Sequence, residues 1–414
     1  MKSYVINPSY KYFFFVFIVN LFAYIFFSFN GYFVWENEIY IFTFDSVVFL
    51  AFFLSSLVFI FFTFFIDNLA KIYVFKRKYL SGFSQMSISQ WKLFSWILFF
   101  IVLISSFVNF KYGINVAGKA NPSDISIYIK LLTLILNPDY LCPIFLCLKF
   151  YNFRLYCLIA FVCIISFTLR GWMGGWLIVF VSMVFNYSCF ERSWPLKTKK
   201  ILLFFIFFVI LLLPFLLYLK YFFRGEAINF IFLFSGFISY IEEHSLFEIY
   251  ADAFMNVIFR FQSFDMFYLF MKNMDLIQFA YSKDLIIPFF KDNMFFSILF
   301  PSFVNGIPAG QYLASLYLTE SVTWATHPGF IGWILMAGFP FILVSTILVF
   351  FHLIVSNIIG GKSVKFLSLF YIATFLFHGW LSAYINTFIY LFIFMLLVYL
   401  VKIIDELSNV FRKS

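Results

Sequence analysis

Three arginines stand apart from the other basic residues and carry the chain's best prospects for anion chemistry. Arg170 lies in "ISFTLRGWMGGWLIVF" (164–179) and is the only fully charged side chain between Leu155 and Phe190. Arg224 falls in "YLKYFFRGE" (218–226), four residues after Lys220, a spacing that puts both cations on one face of a continuing helix. Arg260 sits among aromatics in "VIFRFQSFDMF" (257–267), where it can stack on a ring or pair with Asp265. A guanidinium offers a planar fork that matches the oxygens of a phosphate or diphosphate. The plainer reading keeps these cations at the membrane boundary, their heads drawn to water and lipid phosphates. Gly171, Gly174 and Gly175 follow Arg170 directly. Gly171 and Gly175 make a GxxxG spacing, which serves close helix packing and also a tight approach beside the arginine.

Acid–base chemistry has fewer candidates. "ESVTWATHPGFIGWILMAGFP" (320–340) holds Glu320 and His327, either of which could act as general base toward a hydroxyl. Lys220, Glu226, Glu242 and His244 are the candidates for holding a substrate. "YIEEHSLFEIYAD" (240–252) spaces His244 and Glu248 four apart, but no third ligand is spaced to complete a metal site, so a solvated helix face is the stronger reading. The five cysteines (Cys142, Cys147, Cys157, Cys163, Cys189) fall within or at the ends of apolar runs, which argues against a disulfide framework and a zinc site. The chain lacks a P-loop, a dinucleotide fingerprint and a nucleophile elbow, so neither a cofactor nor a nucleotide-driven pump is expected.

The elements that must position these residues are membrane helices. The chain has 414 residues, 64% hydrophobic and 11% charged. Soluble proteins are near half apolar and a quarter charged. Runs of about eighteen or more apolar residues each predict a transmembrane helix. The expected fold is all-α, a polytopic bundle of about ten spans: 12–29, 41–66, 93–110, 125–148, 155–169, 172–190, 201–219, 327–356, 366–382 and 385–401. With the N-terminus inside, eighteen of the 28 Lys and Arg residues fall on cytoplasmic segments, as the positive-inside rule requires. Both termini are then cytoplasmic, and Arg170 falls at the outside turn between spans five and six. The net charge of +9 therefore reports topology rather than nucleic-acid binding.

Three regions follow: 1–219 with spans one to seven, 220–326 as one large outside segment, and 327–414 with the remaining spans and a cytoplasmic tail. The outside segment gathers charge that the rest of the chain avoids. Its short apolar pieces, "AINFIFLFSGFISYI" (227–241) and "LIIPFF" (285–290), predict interfacial or re-entrant helices. Were two of them to cross, the count would rise to twelve with the same topology.

With "TLRGWMGGW", "FFRGE", "IFRFQSF" and "THPGFIGWILMAGFP" on a many-span chain with a large late outside loop, the sequence resembles the Wzy-type O-antigen polymerases. More loosely, it is similar to the GT-C-like integral membrane glycosyltransferases. The resemblance implies a bacterial inner-membrane enzyme working at the periplasmic face on oligosaccharide repeat units carried by undecaprenyl diphosphate. Donor and acceptor would both be lipid-linked glycans, with a chain-length regulator as a protein partner. Arg170, Arg224 and Arg260 would stabilise the diphosphate leaving group without metal, and His327 or a carboxylate such as Glu320 would activate the acceptor. The "HPG" here departs from the His-Asn pattern of the ligases. Two other classes remain open: a lipid-linked oligosaccharide flippase, which would scatter intramembrane charges through two similar halves, and a membrane O-acyltransferase, for which His378 in "FLFHGWLSAY" would be the candidate histidine.

Overall fold

The computed structural model describes residues 8–35, 38–76, 86–116, 122, 124–172, 174–191, 194–195, 211–224, 233–251, 263–291, 293–317 and 327–411. Helices account for nearly all of the regular structure. Among the described residues six helical segments are long and apolar enough to cross a membrane, one of them the interrupted Ile127–Leu146, and two more, Phe153–Leu169 and Gly174–Phe190, are apolar but have 17 residues each. The protein is an all-α, multi-pass membrane protein.

Local sequence explains where the helices begin and end. After α1 (Pro8–Asn30), a short antiparallel hairpin, β1 (Tyr32–Trp35) and β2 (Glu38–Ile41), pairs Tyr32 with Ile41 and leads into α2 (Ser46–Lys76). The sequence reading began its second span at residue 41. The alternating "YFVW" and "EIYI" pair as strands, and that span starts at Ser46 instead. α3 (Ile88–Tyr112) opens with a reciprocal cap, in which Ser87 Oγ accepts from the Gln90 amide and Gln90 Oε1 accepts from the Ser87 amide. It closes on Gly113, whose left-handed φ of 62° returns its N–H to the Asn109 carbonyl.

Span four is a broken helix. α4 (Ile127–Ile135) stops, and α5 (Pro138–Leu146) restarts on Asn137, whose side chain accepts from the Asp139 amide at 2.9 Å, with Pro138 in the first helical position. Pro138 has no N–H to offer the Leu134 carbonyl one turn back. The buried Tyr390 hydroxyl donates to that carbonyl instead, and Ser105 Oγ donates to the Leu136 carbonyl at 3.0 Å. In an apolar surrounding such freed groups must find partners, and here side chains supply them.

The chain continues through α6 (Phe153–Leu169), α7 (Gly174–Phe190), α8 (Leu213–Arg224) and α9 (Leu233–Glu243). Then come α10 (Phe264–Lys272), α11 (Met274–Ser282), α12 (Met294–Leu299) and α13 (Ala309–Ser315), and finally α14 (Gly329–Tyr371) and α15 (Leu381–Phe411). Helical geometry continues over all 43 residues of α14, but a straight helix of that length would span about 63 Å, whereas the Phe330 amide near its start bonds the Phe377 carbonyl just past its end at 3.0 Å. The chain reverses within it, and Gly361 falls in the loop that the sequence places between spans at 327–356 and 366–382. Gly361 takes a left-handed φ of 64° within it, a value that glycine adopts without steric cost. A π-helical turn, Ile372–Leu376, follows α14 directly.

The contacts divide the chain into two compact units. One comprises Met1–Lys78, Ile258–Ser356 and Ser368–Ile389; the other comprises Tyr79–Val257, Asn357–Leu367 and Tyr390–Ser414. In the first unit α10 is buried along nearly its whole length, and the buried Asn20 side chain accepts from the Ser263 amide just before it at 2.8 Å. This stretch of the segment 220–326 is packed into the core of its unit. In the same unit Leu276, Phe279, Phe300 and Phe303 are exposed and lie on α11 and beyond.

Candidate functional site

The second unit brings two of the sequence candidates together. Arg170 caps the C-terminus of α6, where the helix dipole favours a cation, and Asp139 occupies the first turn of α5, where it favours an anion. The two meet as a bidentate pair. Arg170 Nη1 donates to Asp139 Oδ2 at 2.9 Å, and Nη2 donates to Oδ1. Nε donates to the Ser166 carbonyl at 3.3 Å, and the guanidinium lies 5.5 Å from the Phe167 ring centroid and 5.8 Å from that of Trp172. Arg170 is 2% exposed and Asp139 8%. Arg170 therefore does not draw its head to the membrane boundary, and its fork is taken by a carboxylate rather than offered to a phosphate. Its charge is met inside the protein, which is the condition under which a buried guanidinium is tolerated.

The turn after Arg170 receives Arg224. Gly171 has φ of 62°, and α8 ends directly over it. A Cβ on Gly171 would stand 2.9 Å from Arg224 Cγ and 3.0 Å from the Lys220 carbonyl oxygen. Arg224 Nε donates to the Gly171 carbonyl at 3.1 Å. The glycine is thus required twice, for its backbone conformation and for the approach of α8. Lys220 and Arg224 share the face of α8 that meets this turn, as their spacing predicts, and Lys220 Nζ sits 4.9 Å from the Tyr221 ring centroid. Both cations are partly exposed. The other glycine of the pair, Gly175, packs under the Phe167 ring, so the GxxxG spacing serves helix packing at that end.

Glu242 and His244 are elsewhere. The start of α9 packs with Leu216, Leu219 and Phe223 through Leu233, while Tyr240 and Ile241 pack on Leu217 with Leu213. The rings of Phe215 and Phe237 are 5.0 Å apart and those of Tyr218 and Tyr240 5.8 Å, centroid to centroid, so the part of α9 that carries Glu242 meets the first half of α8. Arg224 is seven residues beyond Leu217, about 10 Å along the helix. Glu242 and His244 are both exposed. His244 and Glu248 also fail to share a helix face. The chain breaks after Glu243, and Ser245 caps the next helix, accepting from the Glu248 amide at 3.2 Å while its own amide donates to Glu248 Oε2 at 3.0 Å. That bond holds the Glu248 carboxyl below its ordinary range. Among the described residues no cluster of His, Cys, Asp and Glu is arranged to hold a metal.

His327 belongs to the first unit. Its imidazole lies flat against Trp380, centroids 5.2 Å apart at 19°. Around it two glycine turns press together: Gly329 (φ 75°) and Gly379 (φ 77°) approach so closely that a Cβ on Gly379 would be 2.7 Å from the Gly329 nitrogen. The Phe330 amide donates to the Phe377 carbonyl at 3.0 Å, and Trp333 Nε1 donates to the Gly379 carbonyl at 2.9 Å. Burial, with His378 nearby, pushes the His327 imidazole down to about 3, so it is neutral at ordinary pH. A base so weak is poorly matched to proton abstraction near neutrality. Pro328 is the capping residue that precedes α14.

Arg260, Glu226 and Glu320 lie outside the described residues. The residue that sequence reasoning missed is Asp139. It was legible as an intramembrane carboxylate behind an Asn-Pro helix start, but nothing in the spacing joined it to an arginine 31 residues later. No family model, no curated protein and no solved structure matches this chain.

Proposed function

We propose that this protein is a glycosyltransferase of the O-antigen polymerase type. On this reading it has about ten spans, sits in a bacterial inner membrane with both termini cytoplasmic, and joins undecaprenyl-diphosphate-linked repeat units at the periplasmic face. One observation carries the reading. Gly171 of "TLRGW" and Arg224 of "FFRGE", two motifs that underlie the resemblance, are far apart in sequence yet meet in space, with Arg224 seated on Gly171.

The chemistry follows from the bond that breaks. The acceptor sugar hydroxyl attacks C1 of the donor sugar, the C1–O bond to the diphosphate breaks, and its electron pair leaves on undecaprenyl diphosphate. Negative charge grows there, and cations aimed at it lower the barrier most in a site that excludes water. Arg224 and Lys220 are the partly exposed cations on one helix face and take this role; Arg260 is the third candidate. Arg170, paired and buried, does not contact the headgroup. The hydroxyl proton passes to a carboxylate rather than to the weakly basic His327, and Glu320 is the carboxylate the sequence singles out.

The test is polymer length on lipopolysaccharide gels from cells carrying Arg224→Ala, Lys220→Ala, Arg260→Ala or Glu320→Gln as their only copy. Short or absent ladders are expected from Arg224→Ala and Glu320→Gln. Normal ladders from both at wild-type protein levels would refute the assignment.

A further inference from the structure

We propose that Asp139 is a positioning residue for the anion site: it holds Arg170, and through the Gly171 turn it sets the orientation of Arg224. This rests on the reading of Arg224 as a headgroup ligand. The connection is continuous and short. Asn137 and Pro138 fix the start of α5, and the Asn137 side chain holds the Asp139 amide, so the carboxylate projects from a defined first turn. Both carboxylate oxygens then take a guanidinium nitrogen of Arg170, while the third nitrogen holds the Ser166 carbonyl. Phe167 and Trp172 flank the same guanidinium. The next peptide is Gly171, in the left-handed conformation, and its carbonyl accepts from Arg224 Nε.

A guanidinium anchored through Nε has its two terminal nitrogens turned to one side, and that is the geometry that grips two oxygens of one phosphate. An arginine side chain free to rotate loses this pre-organisation and must be ordered at each binding event. The broken span four has a purpose in this account. An unbroken helix through 127–146 would have no first turn at Asp139 and no cap to aim it. The pair itself is too buried to be a ligand site, so its place is behind the site.

The measurement is binding of farnesyl diphosphate to the full-length protein in nanodiscs, with farnesyl monophosphate and farnesol as references. Wild type is expected to prefer the diphosphate over farnesol at least tenfold, and Arg224→Ala to lose that preference. If either fails, the reading of the site is wrong. Given both, Asp139→Asn is expected to weaken diphosphate binding about tenfold with farnesol binding unchanged, and Asp139→Glu to recover most of the loss. Because Asp139→Asn leaves Arg170 uncompensated and risks misfolding, Asp139→Leu with Arg170→Met replaces the pair by apolar packing. This double variant should remain folded and still bind the diphosphate about tenfold more weakly. Wild-type diphosphate affinity in the folded double variant would overturn the role of Asp139 and leave that of Arg224 intact.

Discussion

Gly171→Ala isolates the contact on which the site depends, and its cost can be worked from the structure. Alanine in the left-handed region costs about 1–2 kcal/mol, and Gly171 has φ of 62°. The added methyl would also lie 2.9 Å from Arg224 Cγ and 3.0 Å from the Lys220 carbonyl. The side chain can shift, but the carbonyl belongs to α8 and cannot without moving the helix. Overpacking of this kind costs about 1–3 kcal/mol, for a total of about 2–5 kcal/mol. Gly113 provides the control. It has the same φ of 62°, also at a helix end in the same unit, with nothing within 4 Å of its would-be Cβ. Gly113→Ala should therefore show the backbone part alone, about 1–2 kcal/mol. The entropy gained in the unfolded chain by replacing glycine is common to both and cancels in the difference. The assay is reversible unfolding in mixed micelles by SDS titration, followed by tryptophan fluorescence. Arg224→Ala removes the Cγ, so Gly171→Ala should be less damaging in that background than in wild type, a non-additive pair. Equal costs for Gly171→Ala and Gly113→Ala, or strict additivity with Arg224→Ala, would refute the close approach of α8 to this turn.

Other consequences are open to the same assay. Asp139→Ala strands a buried guanidinium and should cost about 3–5 kcal/mol, whereas Asp139→Leu with Arg170→Met should be nearly neutral; equal losses would contradict the buried pair. His352 is 0% exposed, stacks 5.4 Å from Tyr384, and among the described residues has no hydrogen-bond partner for either ring nitrogen. His352→Leu should therefore leave stability unchanged or raise it by up to about 2 kcal/mol, and a loss above about 1 kcal/mol would show that the imidazole is well partnered. His327 titrates near 6.5 in the unfolded chain and about 3 in the folded one. Its contribution is thus fully present above pH 6.5 and falls away as the pH drops toward 3, because the unfolded chain takes up a proton that the folded chain refuses. Allowing for partial exposure, the slope is about 1 kcal/mol per pH unit. His327→Gln should flatten the stability profile between pH 6 and 4, and parallel profiles would exclude this burial.

Much of the fold was legible because membrane helices announce themselves by length and apolarity. The helices read at 155–169 and 172–190 are seen at Phe153–Leu169 and Gly174–Phe190. What was hidden shares one physical character. The break in span four and the strands at 32–41 are local events inside apolar stretches, where composition does not change when the backbone does. Asn137 and Pro138 were a readable helix start, overlooked because the hydropathy runs on through them. The spacing of Lys220 and Arg224 correctly placed them on one face, since i to i+4 is a local rule. The same rule failed for His244 and Glu248, because Ser245 and Glu248 form a cap and start a new helix between them. The Asp139–Arg170 pair is tertiary, and one sequence alone carries no signal for it.

The most direct test of the function is elongation by the purified protein. The full chain, reconstituted in vesicles with an undecaprenyl-diphosphate-linked repeat unit and EDTA, should yield a ladder of longer lipid-linked glycans and release undecaprenyl diphosphate, and Arg224→Ala should abolish both. Movement of the lipid-linked unit between leaflets with no glycan longer than the input would contradict the account and identify a transporter.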